Sequence, residues 1–324
     1  MEYETAGDPM KDLKWTRRTT EKISEELAAA GIMVSKTTVG RILKELDFSL
    51  KSNVKKLSNG GKHISAEQQL QRDRQFKLIK RTRRLYEDNG CPVISVDTKK
   101  KELIGNFKNA GTRLKRGPDL TNDHDFQSYA LGQAALYGVY ETARNKGYVG
   151  IGKFLREGKT FMSSDTPAFA VDCIANWWQD RGRFAYKGAT KLLILADAGG
   201  SNGCQPHMWK INLQKMLCDR YGIQVNVLHY PSGASKWNPV ERRLFCPISK
   251  NWQGTPLKDY ETVLKYTLTT KTKTGLAVQA KMMTDIYPKG VSATSVELGS
   301  LRIRKLKMNP RWGYRLHPAP EDAA

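Results

Sequence analysis

The chain has 324 residues, 39% of them apolar, which is enough to bury a full core and, by length, to form about two domains. No apolar run approaches the roughly 18 residues that span a bilayer, and the five cysteines form no CxxC pair. The sequence therefore excludes a membrane protein and argues against a disulfide framework or a zinc site. Its 54 Lys and Arg against 32 Asp and Glu give a net charge of +22, which predicts a polyanionic partner, first of all nucleic acid. A merely basic soluble protein is the alternative.

Residues 18–50 have the pattern of a helix-turn-helix. Thr20 is the predicted cap of the first helix, and Ser35 is the predicted cap of the second. In such a motif the N-terminal part of the second helix enters the major groove. The predicted DNA-binding residues are therefore Lys36, Thr37, Thr38 and Arg41. A helical hairpin that only packs against its neighbours is the alternative.

Residues 51–61 have the composition of a linker. Ser65 and Gln68 then form a predicted capping box, which opens a helix that runs to about Asn89. Its basic residues are Arg72, Arg74, Lys77, Lys80, Arg81, Arg83 and Arg84. They suit a helix that follows a phosphate backbone, and a solvated charged face is an equal alternative.

The region from Pro92 onward has an α/β pattern. Residues 93–97 predict a buried strand, and residues 103–107 its hairpin partner, with Lys99, Lys100 and Lys101 at the turn. Residues 108–133 predict a long loop. The later predictions are strands over 137–142, 148–152, 192–196 and 224–228, and helices over 168–180, 208–220 and 239–248. This order predicts a ribonuclease H-like mixed sheet with flanking helices, preceded by an all-α helix-turn-helix segment.

Three acids stand at points in this order of elements that suggest a shared site. Asp97 and Asp197 each end a short apolar run, and Glu241 lies one turn into the helix after the last strand. If the first and fourth strands are neighbours, the two aspartates lie side by side at one edge of the sheet, where the helix can bring Glu241. Carboxylates placed so close need cations, and two Mg²⁺ or Mn²⁺ ions about 3.5–4 Å apart are the usual solution for phosphodiester chemistry.

Each acid also has a simpler interpretation. Asp favours the turns that follow strands, and Glu241 stands three residues after Asn238, where it fits a capping box. The joint placement of the three acids favours the metal site over these alternatives.

Three sequence blocks carry a family resemblance. Residues 97–109 (DTKKKELIGNFKN), 196–203 (ADAGGSNG) and 235–245 (SKWNPVERRLF) resemble the catalytic blocks of the Rhodopirellula-type DDE transposases, an ISAzo-type insertion-sequence family. The resemblance extends from about residue 10 to residue 318. It implies a ribonuclease H-like core, Mg²⁺ dependence, and Asp97, Asp197 and Glu241 as the catalytic, metal-binding triad.

Other residues near the blocks are candidates for DNA contact. Lys99, Lys100, Lys101 and Lys236 are placed to neutralise phosphates, and Trp237 to stack on an unpaired base. A solvated turn for the lysines and a core position for the tryptophan are the alternatives. Family members extend further upstream with another DNA-binding segment, so we expect this chain to be N-terminally truncated.

The sequence thus predicts three segments: a helix-turn-helix over 1–60, a basic linker helix over 61–90 and a catalytic domain over 91–324. The predicted function is that of a bacterial DNA transposase, cytoplasmic and nucleoid-associated, which acts as a homo-oligomer on terminal inverted repeats and target DNA. Arg242 and Ala198 depart from the His and Gly of the family pattern. Accordingly, a catalytically inactive DNA-binding derivative is one alternative, and a related nuclease, integrase or RNA-processing ribonuclease is another.

Overall fold

The computed structural model of the protein describes residues 5–8, 13–16, 18–49, 65–158, 160–161, 163–308 and 310–320. The chain divides into two compact units, Met1–Lys56 and Leu57–Ala324. The linker predicted over residues 51–61 lies outside the described residues.

The first unit contains two helices, as the sequence predicts, and a strand pair that it does not predict. Its elements are strands β1 (Thr5–Asp8) and β2 (Leu13–Thr16), which pair antiparallel, and helices α1 (Thr20–Ala29) and α2 (Lys36–Glu45). Ser35 caps α2 as predicted, but the cap of α1 is Thr19, not Thr20. Thr19 has the extended backbone that an N-cap needs, and its side chain accepts a hydrogen bond from the Lys22 amide.

The second unit begins with a long helix and continues as a mixed sheet with helices. Helix α3 (Ala66–Asp88) opens with the predicted Ser65–Gln68 capping box. The strands are β3 (Val93–Thr98), β4 (Glu102–Ile104), β5 (Gly132–Glu141), β6 (Lys146–Glu157), β7 (Thr160–Phe161), β8 (Lys191–Ala196), β9 (Gln224–His229), β10 (Ala277–Met283), β11 (Ile303–Lys305) and β12 (Gly313–Leu316).

The helices of this unit follow the predicted order. They are α4 (Pro167–Trp177), which continues through a π-helical segment (Trp178–Gly182) into α5 (Arg183–Ala185); α6 (His207–Leu213), extended by a π-helical segment (Gln214–Asp219); α7 (Cys246–Asn251), preceded by a π-helical segment (Glu241–Phe245); α8 (Tyr260–Leu268); and α9 (Ser295–Gly299). None of the described helices is long and apolar enough to cross a membrane.

The strand order gives the fold class. In the described residues the sheet runs β10-β6-β5-β3-β8-β9-β12-β11, with β4 attached to β5 and β7 to β6. The three strands β6, β5 and β3 pair antiparallel, and β3, β8 and β9 pair parallel. A three-stranded antiparallel meander followed by parallel strands in this spatial order is the ribonuclease H-like arrangement, so the predicted fold class is confirmed.

The predicted hairpin partner of β3 is wrong. β4 is only three residues long, and it pairs with β5 instead of β3. Both edges of β3 are already taken, by β5 on one side and by β8 on the other. β5 begins at Gly132, inside the predicted loop, and its ten residues provide the pairing that the sequence assigned to residues 103–107.

The side chains of each strand alternate between the two faces of the sheet. Ile94 and Ile194 belong to the core cluster beneath α4 and α6. Val93, Leu193 and Leu195 point to the opposite face, where α3 contributes Ile79 and Tyr86 to the same cluster. Asp97 and Asp197, by the same alternation, belong to this second face.

Strand β5 has a glycine directly opposite Asp97. A Cβ atom on Gly138 would lie 2.6 Å from the Phe245 ring, and one on Gly147 would lie 2.4 Å from Leu244. Leu244 and Phe245 end the π-helical segment that begins with Glu241 and are buried against the sheet. The absence of side chains at the two glycines therefore allows the Glu241 segment to pack closely against β5 and β6, next to the strand that carries Asp97.

Replacing Gly138 with Ala should lower the free energy of unfolding by about 1–3 kcal/mol, because the added methyl overpacks the contact with Phe245. Chemical denaturation measures the change. Gly117→Ala is the matched control, since its added Cβ meets nothing within 4 Å. A second change, Phe245→Leu, should restore part of the loss. Equal stability of the two alanine variants would contradict the packing argument.

Candidate active site

Asp97 and Asp197 emerge from neighbouring parallel strands. The register pairs Val96 of β3 with Ala196 of β8, so each aspartate is the next residue along its own chain. Adjacent strands lie about 4.8 Å apart, which places the two carboxylates side by side at the carboxyl end of the parallel pair. The first and fourth of the predicted strands, β3 and β8, are thus neighbours, which is the condition for placing the two aspartates side by side.

Glu241 approaches from the same face of the sheet as the aspartates, since Phe245 of its segment packs against Gly138, the residue opposite Asp97. It begins the π-helical segment Glu241–Phe245, which follows the short 3-10 turn Ser235–Trp237. π-Helical turns are rare and are frequent at functional sites. The charges of Asp197 and Lys99 act on the Glu241 carboxyl in opposite directions, so these groups share one electrostatic environment.

The pKa values of the three acids show how strongly the pocket opposes their ionisation. Burial is the main cause for each, and it raises the pKa of Asp97 to about 8 with further contributions from Asp197 and Glu241. Burial likewise raises the pKa of Asp197, which a hydrogen bond from Asn238 partly offsets. The pKa of Glu241 is raised by burial and by the charge of Asp197.

The capping alternative for Glu241 does not match the observed hydrogen bonds. The Asn238 side chain contacts Ser95, Val96 and Asp197, and does not serve as a cap for the helix. The Glu241 amide donates to the Asn238 backbone carbonyl at 3.3 Å. The segment is therefore tied to the sheet through a side chain that the sequence analysis interpreted only as a helix start.

The three lysines after Asp97 point in different directions. Lys99 is mostly buried; it pairs with Glu102, lies 5.1 Å from the centre of the Trp252 ring, and its charge lowers the Glu241 pKa. Lys101 lies over the Phe154 ring at 5.7 Å. Only Lys100 is exposed. The structure therefore brings Lys99 to the acids, whereas Lys100 faces solvent.

Lys236 and Trp237 lie on the turn that precedes Glu241. Both are exposed, with 58% of Trp237 accessible, and the Lys236 ammonium sits 5.7 Å from the centre of the indole ring. Phe76 of α3 meets Trp237 edge-on at 6.2 Å. The exposure favours the stacking interpretation of Trp237 over a core position.

The predicted DNA-reading residues of the first unit lie at the start of α2. Lys36, Thr37 and Arg41 are exposed, and Thr38 is half-buried beside the cap residue Ser35. Lys36 pairs with Glu21 at 3.2 Å, and Arg41 with Glu45 at 3.9 Å. Exposed ion pairs of this kind contribute little to stability, so both cations can exchange their partners for phosphate.

Two further residues, Ser95 and Asp165, shape the site without belonging to the predicted triad. Ser95 is a buried polar residue inside an apolar strand, and that anomaly was the available signal. Asp165 accepts a hydrogen bond from Thr98 at 3.2 Å and contributes to the raised pKa of Asp97. The sequence marks Asp165 only as a spare acid that could support the metal ligands, because its segment is far from the first block in the chain.

The donor chemistry fits a divalent cation. Three carboxylates provide hard oxygen ligands in a pocket where burial and mutual repulsion oppose their charges. Among the described residues, no three His, Cys, Asp or Glu side chains already form a set that could hold a metal ion. The case for a divalent-cation site therefore rests on the oxygen ligands that the three carboxylates provide and on the electrostatic coupling between them.

The fold and the acids at its edge define a protein of the ribonuclease H-like class. The chain belongs to the family described as Rhodopirellula transposase DDE domain, whose sequence model matches residues 1–318. The resemblance drawn from the three sequence blocks is confirmed. No curated protein matches the chain.

Solved structures of Mos1 transposase show partial similarity. They include the paired-end complex with the left transposon end (16% identity, TM-score 0.42), the strand transfer complex (17%, 0.43) and the mariner paired-end complex with Mn (16%, 0.40). Each comparison covers 77% of this chain, and the chain spans 64–65% of the length of the Mos1 chains.

Replacing Asp97 with Asn should stabilise the metal-free protein, on the order of 2 kcal/mol at pH 7.5, because a buried group that resists ionisation is exchanged for a neutral one. Thermal melting measures the change. Mn²⁺ should then stabilise the wild type and have little effect on the variant. Asp123→Asn is the matched control, since 84% of that side chain is exposed. A destabilised Asp97→Asn protein would contradict the assigned cost of burying the Asp97 carboxyl beside the other acids.

Proposed function

We propose that the protein is a DNA transposase of an insertion sequence, which hydrolyses phosphodiester bonds at the element's ends and joins those ends to target DNA. The observation that carries the proposal is the convergence of Asp97, Asp197 and Glu241 in one electrostatically coupled pocket. Family membership supports the same reaction.

The three carboxylates would hold two Mg²⁺ or Mn²⁺ ions. When bound, such ions lower the pKa of an attacking water or 3′-hydroxyl and stabilise the leaving oxygen. Lys99 contributes a fixed positive charge beside Glu241, and its burial against Trp252 limits its movement. Thr98 fixes one Asp97 oxygen, because its amide donates to that oxygen at 2.8 Å.

The DNA substrate would contact both units. Lys36, Thr37, Thr38 and Arg41 would read the terminal repeat through the major groove. In the catalytic unit, Lys100, Lys101 and Lys236 would meet phosphates, and Trp237 would stack on a base unpaired near the scissile bond. The domain boundaries at residues 60 and 90 are part of this proposal.

Helix α3 would extend the DNA-binding surface of the catalytic unit. Its exposed residues Arg74, Lys77, Arg81 and Arg84 recur at spacings of three and four and form one stripe along the helix. The helix is attached to the loop that carries Trp237, since Arg72 donates to the Ser232 carbonyl at 2.8 Å. A duplex lying along the stripe would therefore lead towards the acids.

The protein would act as a homo-oligomer, in which each of the two element ends meets an active site of its own. It would work at the bacterial nucleoid, where its DNA substrate is found. A catalytically inactive DNA-binding derivative is the second candidate. Arg242, which departs from the family pattern next to Glu241, is the observation that favours it.

Metal-dependent cleavage of duplexes that carry the element's terminal repeats tests the reaction. The wild type should cleave with Mg²⁺ or Mn²⁺, and Asp97→Ala, Asp197→Ala and Glu241→Ala should each reduce the cleavage rate at least 1,000-fold, on the order expected for the loss of a metal ligand. Asp123→Ala is the control. All variants should bind the repeat with unchanged affinity.

A folded wild type that binds the repeat as tightly as Asp97→Ala, yet cleaves nothing while an intact family member does, would establish the inactive derivative. Cleavage of RNA or of RNA–DNA hybrids without cleavage of duplex DNA would establish a ribonuclease.

The α3 surface is tested by the salt dependence of DNA binding. Removing the charges of Lys77 and Arg81 with a Lys77→Gln, Arg81→Gln double variant should reduce the slope of log K against log salt by roughly 2, since each phosphate contact contributes about 0.9. Fluorescence anisotropy across a potassium chloride series measures the slope. Lys187→Gln with Lys289→Gln, both exposed elsewhere on the unit, is the control. An unchanged slope would remove α3 from the interface.

A further inference from the structure

Behind the three acids lies a buried hydrogen-bonded pair, Ser95 and Asn238. Both residues are 0% exposed, and each lies among apolar neighbours. Ser95 belongs to β3, two residues before Asp97, and Asn238 precedes Glu241 by three. The pair therefore connects the strand that carries the first acid with the segment that carries the third.

Three hydrogen bonds attach the Asn238 side chain to the sheet and its acid. Its amide nitrogen donates to the Val96 carbonyl at 3.1 Å and to Asp197 Oδ1 at 3.0 Å, and its oxygen accepts from the Ser95 hydroxyl. One side chain is thus bound to β3 and to the acid at the end of β8.

The Ser95 hydroxyl completes the connection. It accepts a hydrogen bond from the Val240 amide at 3.1 Å while it donates to Asn238. Val240 is the residue before Glu241, and its amide lies at the start of a helical turn, where backbone donors lack helical partners. The hydroxyl therefore satisfies a buried backbone donor and sets the distance between β3 and the Glu241 segment.

We propose that Ser95 and Asn238 act as positioning residues that fix the Asp197 carboxylate and hold the Glu241 segment at the distance at which the three acids share cations. This inference rests on the proposed function. Asn238 meets the carboxylate through an N–H donor, so it restricts rotation of the Asp197 carboxylate without adding a fourth negative charge. Partners that orient metal ligands in this way typically change metal affinity 10- to 100-fold when removed.

The chemistry of the contacts explains why these two residue types are needed. Asp in place of Asn238 would face both the Val96 carbonyl and the Asp197 carboxylate with an oxygen, replacing two donated hydrogen bonds by repulsion. Ala in place of Ser95 would leave the Val240 amide and the Asn238 oxygen without their partner. Each change disturbs the orientation of an acid, and the Ser95→Ala change does so without altering the number of acids.

A network that serves only the stability of the core would behave differently from a positioning pair. Removing it would lower the melting temperature and leave the affinity of the folded protein for Mn²⁺ unchanged. Asn226, which is likewise buried at 1% exposure but lies on β9 and outside these contacts, provides the matched comparison. Asn226→Ala should destabilise the protein without affecting Mn²⁺ binding.

Mn²⁺ binding to the full-length, DNA-free chain, measured by isothermal titration calorimetry alongside melting curves, provides the test. Ser95→Ala and Asn238→Ala should each raise the Mn²⁺ Kd by about 10- to 100-fold, and Asn226→Ala should leave it within about threefold of the wild type. Ser95→Ala, the smaller change, maintains the test if Asn238→Ala does not fold.

Unchanged Mn²⁺ affinity in the folded Ser95→Ala variant, with Asp97→Asn abolishing binding, would overturn the positioning role and leave the proposed function intact. Wild-type Mn²⁺ binding that Asp97→Asn does not affect would overturn the proposed metal site itself, and the positioning role with it. The two failures are therefore distinguishable in one series of titrations.

Discussion

The burial of three neighbouring carboxylates is the constraint on which this structure depends. Burial and the neighbouring acids raise the pKa of Asp97 to about 8, far above the usual range of an aspartate. A chain that places acids so close sacrifices stability at that point. Favourable contacts around the acids must therefore offset the cost of placing them together.

The contacts that hold the acids are of three kinds. Parallel pairing of β3 with β8 sets Asp97 beside Asp197. The missing side chain at Gly138 allows Phe245 to pack against β5, and this packing brings the Glu241 segment onto the sheet. The Asn238 side chain then links that segment to Asp197. Backbone pairing, packing and a polar bridge thus each contribute one constraint.

The sequence predicted those features that depend on local patterns. Apolar runs identified β3, β8 and β9, and the Ser65–Gln68 box located the start of α3 to the residue. Strand pairing is a long-range property, which explains why residues 103–107 were assigned to β3 although β5 occupies that edge. The strands β10 to β12 escaped prediction for the same reason, since β10 pairs with β6, β12 with β9 and β11 with β12.

The acids of the candidate site were predictable from the sequence, but the residues that hold them in place were not. Asp97 and Asp197 end apolar strands, a signal visible in one sequence, whereas the bond between Ser95 and Asn238 joins residues far apart in the chain. Lys99 shows the same limit. A run of three lysines resembles a solvated turn, but packing on Trp252 turns the first of them towards Glu241.

The central claim is that Asp97, Asp197 and Glu241 form one divalent-cation site. A crystal structure of the protein grown with Mn²⁺, with anomalous scattering recorded at the manganese edge, tests it most directly. Acids that share divalent cations should give anomalous density between the three carboxylates, within about 2.2 Å of oxygens from at least two of them. Anomalous density elsewhere on the protein, and none among these acids, would contradict it.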